Sequence, residues 1–153
     1  MRFFQPDEYQ ERVGRAYAKE KERLSRALAF AEIEHIGSSA IKGAVSKGDL
    51  DILVRVEREQ LANALAAIES LGYSIKPGTL RTESLCMLEG SGGTAVQLIE
   101  RGSKFEMFVR FRDMMNANPE LVRKYNALKQ ECAGLSEDEY RARKSKFIEA
   151  LLA

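Results

Sequence analysis

Residues 49–56, DLDILVRV, constrain this chain more than any other stretch. The run from Leu50 is β-branched and apolar, which suits a buried strand. Asp51 interrupts that run, and Asp49 stands two residues before it. In a strand, residues i and i+2 share a face and lie about 6.6 Å apart, at ~3.3 Å per residue. Two carboxylates so placed repel, and one tends to keep its proton unless a positive group joins them. A divalent ion meets that need. Mg2+ (or Mn2+) takes hard oxygen ligands and fills the rest of its shell with phosphate oxygens and water. Asp49 and Asp51 are therefore the expected metal ligands.

The segment before the strand supplies the other half of such a site. Gly37-Ser38-Ser39 follows the alternating run EIEHI, with ten residues between Ser38 and Asp49. A glycine there lets the backbone approach a ligand closely, and a helix opening just beyond it offers free N–H groups to an anion. A serine hydroxyl adds a donor. Gly37, Ser38 and Ser39 are thus expected to bind phosphate. Lys42 and Lys47 flank them and can neutralise it, and one or two helical turns are expected within SAIKGAV.

The remaining pattern predicts a mixed α/β chain. Val13, Tyr17, Leu24 and Leu28 recur at helical spacing from Asp7 to about Phe30, with a possible break at Gly14. Leu61, Leu65, Ile68 and Leu71 mark a helix over 57–71, closed by Gly72. YSI is a short strand before the Lys76-Pro77-Gly78 turn, and residues 83–100 form a hairpin around Gly90-Ser91-Gly92-Gly93. Three helices follow. Pro119 suits a first helical turn, and Ser136 with Glu139 has capping-box spacing. The fold class is α+β, a small mixed sheet flanked by helices with a helical C-terminal part; the strand order does not follow from the pattern.

The chain has 153 residues, which favours one domain over 1–153. A net charge of +1 creates no global attraction to nucleic acid or to an anionic membrane, so neither is an expected partner. No apolar run approaches the roughly 20 residues of a membrane span, and the early acids of MRFFQPDEYQ do not suit a secretory signal. A cytoplasmic location is expected. Cys86 and Cys132 are expected to be reduced packing residues, and Met107, Met114 and Met115 core residues. The basic run RARKSK is expected to be a solvated helix face.

GSSAIKGAVSKGDLDILV resembles the Gly-Ser followed by Asp-x-Asp of the nucleotidyltransferase superfamily. Within it the chain is most similar to the GrpB family, through HIGSSAIKG, KGDLDILV, FVRFRDMMNANPELVRKYNALK and YRARKSKFI. The resemblance covers nearly the whole chain in order. It implies a nucleotidyltransferase fold, a nucleoside triphosphate as partner, and Mg2+-dependent transfer to a small-molecule or protein acceptor. Arg112, in the family-like FRD, and Lys144, in Tyr-x-x-x-Lys-x-x-Phe-Ile, become expected phosphate contacts, with Arg81 and Arg110 as further cations within reach. The resemblance also raises a site role for His35. Active superfamily members carry a third acid on the strand corresponding to TAVQLIE. GrpB relatives tend to carry His-x-His there, where this chain has Ala95 and Gln97. Glu100 closes that strand on the opposite face, and Glu83 and Glu89 precede it. The departure leaves a second expectation, a nucleotide-binding or partner-binding module that has lost catalysis.

Overall fold

A computed structural model describes residues 1–153. Helix α1 (Pro6–Ala27) leads into β1 (Glu32–Ile36), then β2 (Leu50–Val56), α2 (Leu61–Ser70), β3 (Ser74–Ile75), β4 (Leu85–Glu89) and β5 (Thr94–Glu100). Helices α3 (Met107–Asn116), α4 (Pro119–Cys132) and α5 (Glu137–Leu152) complete the chain. The five strands form one sheet in the order β1-β2-β5-β4-β3. Only the central pair, β2 with β5, runs parallel; the other neighbours are antiparallel. No helix is long and apolar enough to cross a membrane.

Strand alternation divides the sheet into two faces with separate cores. Ile52, Val54 and Val56 of β2, Val96 and Leu98 of β5, and Leu88 of β4 pack with Leu24 and Leu28 of α1 and Ile68 of α2. The opposite face carries Ile36, Leu53, Leu85 and Ile99 against Phe105 and the start of α3. A third cluster, Ile41, Phe111, Met115, Val122 and Tyr125, ties α3 and α4 to the loop before β2. β2 is buried from Ile52 to Val56 because it lies inside the sheet with helices on both faces. Arg55 belongs to that buried run. It is 8% exposed, and its guanidinium donates to Glu106 at 2.9 Å and to Glu34 at 2.8 Å.

Three local expectations are corrected. α1 runs unbroken through Gly14, where nothing lies within 4 Å of a built Cβ, and it ends at Ala27, leaving Phe30 exposed in the following turn. The helix predicted over 57–71 begins as a 3-10 turn at Arg58–Gln60 and becomes α-helical only from Leu61. The helix expected after Gly37 is a single 3-10 turn, Ser38–Ala40. Gly43 and Gly48, at φ +83° and +85°, break the segment that follows. The capping at Ser136 is present, with its hydroxyl accepting the Glu139 N–H at 3.2 Å.

Candidate active site

The two halves predicted from the sequence meet at the end of the sheet where β1 finishes and β2 begins. β1 pairs with β2 so that Ile36 lies opposite Asp51, which sets Gly37 over the Asp51 carboxylate. A Cβ on Gly37 would stand 2.4 Å from Asp51 Oδ2, and the residue has φ +76°. Glycine is required there twice over, by contact and by conformation. Gly93, at the end of the hairpin turn, makes the corresponding approach to Asp49, where a Cβ would lie 2.8 Å from Oδ1. Its carbonyl accepts the Leu50 N–H at 3.1 Å, fixing the start of β2 against β5.

Asp51 is half-buried and Asp49 is exposed. Burial pushes the Asp51 carboxyl above its ordinary value; Lys144, Lys47 and Lys76 oppose that rise, and Asp49 adds to it. Burial in turn lowers the Lys144 ammonium, while Asp51 supports its charge. Lys144, which lines the same cavity as Asp51, and Lys47 thus act on this carboxyl at closer range than Lys76, whose backbone lies at the far edge of the sheet beyond β4. Lys47 is also ion-paired with Glu137 at 3.5 Å. Lys76 was not singled out in the sequence, because a lysine before Pro77-Gly78 reads as an exposed turn residue.

Ser38 donates its hydroxyl to Ser46 at 3.0 Å, and Ser46 also accepts the Gly48 N–H at 3.0 Å. Between Ser38 and Asp49 the backbone is held by side chains from the C-terminal helices. Asn116 of α3 accepts from Lys42 N at 2.8 Å and donates to the Ala40 carbonyl at 3.2 Å. Asn126 of α4 accepts from Val45 N and donates to the Gly43 carbonyl, both at 2.9 Å. Lys129, 1% exposed, donates to the Val45 carbonyl, and Tyr9 donates to that of Ala44 at 2.7 Å. Burial lowers the Lys129 ammonium to about 6, helped by Lys144 and Lys47. Asn116, Asn126 and Lys129 fall within the family-like FVRFRDMMNANPELVRKYNALK, but nothing in that stretch shows which backbone groups they hold.

Beside Asp51 a cavity of about 390 Å³ opens between the sheet and α3, α4 and α5. Gly37, Ser38, Asp51, Gln97 and Lys144 form its polar wall, and Met107, Phe108, Phe111, Tyr125 and Ile148 its apolar one. Met107 is thus part of this wall as well as of the packing. Gln97 Oε1 is buried and has no hydrogen-bond partner. A second cavity, about 320 Å³, lies between α1 and the Leu71–Tyr73 turn. Its main polar groups satisfy one another, Glu20 accepting from Arg23 at 2.7 Å and from Tyr73 at 2.6 Å.

Several candidates lie elsewhere. His35 faces away from Asp51, since its partner across the ladder is Ile52; it stacks on Tyr17 at 4.8 Å and its Nε2 is 2.9 Å from Ser39 Oγ. Ser39 is buried in that contact, so neither residue joins Gly37 and Ser38 at the carboxylates. Lys42 is exposed beside His35 and Ser39 in a shallow depression. Arg112 donates to Glu34 and to the His35 carbonyl, both at 2.9 Å, and so holds β1 rather than facing the cavity. Arg81 and Arg110 are exposed and line neither cavity. Glu100 lies opposite Val56, at the far end of the parallel pair from Asp51, and bonds Arg58 at 3.4 Å. Glu83 is ion-paired to Arg58 at 2.6 Å. Glu89 shares the face of Asp51 but two strands away beyond Ala95, roughly 10 Å at ~4.8 Å per strand.

No third histidine, cysteine or acid joins Asp49 and Asp51 closely enough to share a metal ion. Two carboxylates fit one Mg2+ completed by phosphate oxygens and water.

A mixed sheet of this order, with a glycine turn over an Asp-x-Asp strand and helices on both faces, is a nucleotidyltransferase-like fold. The chain is similar to a solved cytoplasmic RNA terminal U-transferase, at 13% identity and a TM-score of 0.55 over 80% of this chain and 38% of that one. The chain belongs to the GrpB family, whose model, "GrpB protein", matches residues 7–153. It is 51% identical to a UPF0157 protein of Vibrio cholerae, over 99% of this chain and 82% of that protein. The crystal structure of conserved protein GrpB from Enterococcus faecalis superposes with a TM-score of 0.79 at 23% identity, covering 97% of this chain and 96% of that one.

Proposed function

We propose that the chain binds a nucleoside triphosphate with Mg2+ and transfers its nucleotidyl group to an acceptor. The observation that carries this reading is the close approach of Gly37 to Asp51. It sets the Gly37 backbone against an acid whose charged form burial disfavours and the nearby lysines support. Asp49 and Asp51 would hold the metal, which neutralises phosphate charge and polarises the α-phosphorus when bound. Gly37 and Ser38 would contact the phosphates, with Lys47, Lys76 and Lys144 balancing their charge. A second reading, binding without turnover, rests on Gln97 and Ala95 standing where an acid would complete the set.

Thermal unfolding with each nucleoside triphosphate, with and without Mg2+, tests the site. Binding at a hundred times Kd adds ~2.7 kcal/mol, a rise of roughly 5–10 °C in a chain of this size. That rise should require Mg2+ and vanish in Asp51→Ala. The same variant should be at least as stable as the wild type without ligand, because it removes an acid that burial disfavours. A shift that persists in Asp51→Ala sinks the assignment. Pyrophosphate release separates transfer from binding alone.

A further inference from the structure

The cavity beside Asp51 is large enough for a small molecule, and its composition says which kind. Its apolar wall, Phe108, Phe111 and Ile148 among others, comes from the C-terminal helices and suits an apolar or aromatic body. Its polar wall places the Lys144 ammonium and the unpartnered Gln97 amide at the end nearest the carboxylates. An unpaired buried amide oxygen costs stability and needs a donor, which a water carried in beside the occupant supplies, since an anionic oxygen has no proton to give.

A neutral hydroxyl that attacks phosphorus must lose its proton, and an enzyme normally supplies a positioned base. This site has none on the sheet. Apart from Asp49, which is assigned with Asp51 to the metal, the neighbours of Asp51 on its own face are Ile36, Leu53, Ala95 and Gln97, and none of them takes a proton. His35 faces the other side against Ser39. Glu100 is at the far end, bonded to Arg58, and Glu89 is two strands away. Glu149 of α5 touches the cavity but is exposed, at its solvent side. A cation, by contrast, is present: Lys144 of α5 lines the cavity together with Asp51.

We infer that the acceptor carries an oxygen already anionic at neutral pH, a carboxylate or phosphate, on an apolar body seated in this cavity. The inference rests on the nucleotide reading above. The acceptor oxygen uses a lone pair to form the bond to the α-phosphorus. The bond from that phosphorus to the oxygen bridging to the β-phosphate breaks, and pyrophosphate leaves with that electron pair. No proton is removed in the step, so a glutamine in place of the third acid is no obstacle. Lys144 lines the cavity with Asp51 and offsets the repulsion between the incoming oxyanion and the phosphates.

Benzoate, phenyl phosphate and benzyl alcohol share an aromatic body and differ in charge. Each is titrated calorimetrically into the full chain with Mg2+ and a triphosphate analogue whose α,β-bridging oxygen is a methylene. At least one acid should bind at millimolar Kd or tighter, and benzyl alcohol at least about tenfold more weakly. Benzoate against phenyl phosphate tells the two sources apart. Lys144→Met should abolish the preference for the acid, and Phe108→Ala should weaken all three probes. Equal or tighter binding of benzyl alcohol, a preference that survives Lys144→Met, or no acid binding by about 10 mM would each overturn the inference. Nucleotide binding is recorded on the same samples. Its loss removes the nucleotide reading, whereas intact nucleotide binding without an acid preference removes the acceptor alone.

Discussion

His35 is the only histidine in the chain, so its ionisation can be watched without assignment. Burial, with the Arg112 charge adding, lowers it from 6.5 to about 4. The ring lies between Tyr17 and Ser39, where protonation would place a charge beside Arg112 without a carboxylate partner of its own. Because the folded pKa is depressed, the unfolded chain takes up the proton first as pH falls. Stability is therefore lost between about 6.5 and 4, with a limit near 3 kcal/mol for a 2.5-unit difference at ~1.36 kcal/mol each. From pH 7 to 5 the loss attributable to this group is about 2 kcal/mol, or roughly 4–8 °C in melting temperature. Asp51, raised by burial, acts with the opposite sign. The quantity to compare is thus the change from pH 7 to 5 in the wild type against His35→Gln. The variant should lose about 2 kcal/mol less than the wild type over that interval. A proton NMR titration of the folded chain gives the midpoint directly. A midpoint above pH 6, or a His35→Gln variant with the wild-type pH dependence, refutes the argument that this ring is a buried structural group.

Other perturbations separate the site from its supports. Gly37→Ala forces a Cβ to 2.4 Å from Asp51 Oδ2 at φ +76°, and should cost about 1–3 kcal/mol and abolish Mg2+-dependent nucleotide binding by calorimetry. Gly14→Ala is its control: with nothing within 4 Å in the middle of α1, it should stabilise by about 0.5–1 kcal/mol in urea unfolding. Asn126→Ala removes the partners of Val45 N and the Gly43 carbonyl, and should cost about 1–3 kcal/mol and weaken nucleotide binding in the same titration. Lys129→Met addresses an amine lowered from 10.5 to about 6 with Lys47 and Lys144 facing it. Between those values the unfolded chain holds the proton and the folded one does not, so wild-type stability gains up to ~1.4 kcal/mol per pH unit from this group. Urea unfolding at three pH values between 7 and 9 should show that increment missing from the variant.

The strands and the acid pair were legible because both depend on short-range rules. An apolar β-branched run needs burial on both faces, and a charge inside it needs a reason that the sequence already names. Gly37 was legible for a related reason, since a turn close to a carboxylate leaves no room for a side chain. What the pattern could not provide was facing. His35 and Ser38 lie three residues apart in one family-like stretch, yet the pleat turns the histidine toward α1 and leaves Ser38 on the cavity. Arg112 has a phosphate-binding residue type but sits opposite Glu34, which takes its charge. Those outcomes depend on pairing register and on helices far along the chain, neither of which appears in local spacing.

The clamp on residues 40–45 changes how the helical third of the chain should be understood. A loop with glycines at 43 and 48 has ample backbone freedom, and a site split across such a loop would not hold its shape by local preference. Asn116 and Asn126 each bond an N–H and a carbonyl of that loop, as a neighbouring strand would, while Lys129 and Tyr9 take two further carbonyls. α3 and α4 thereby connect the turn at Ser38 to the acids at Asp49 and Asp51, and the same two helices with α5 provide the apolar wall of the cavity. The sheet supplies the carboxylates and the glycines that approach them. The helices set the distance between the two and decide what fits beside them. A change in the packing of α4 would therefore alter both the loop and the cavity.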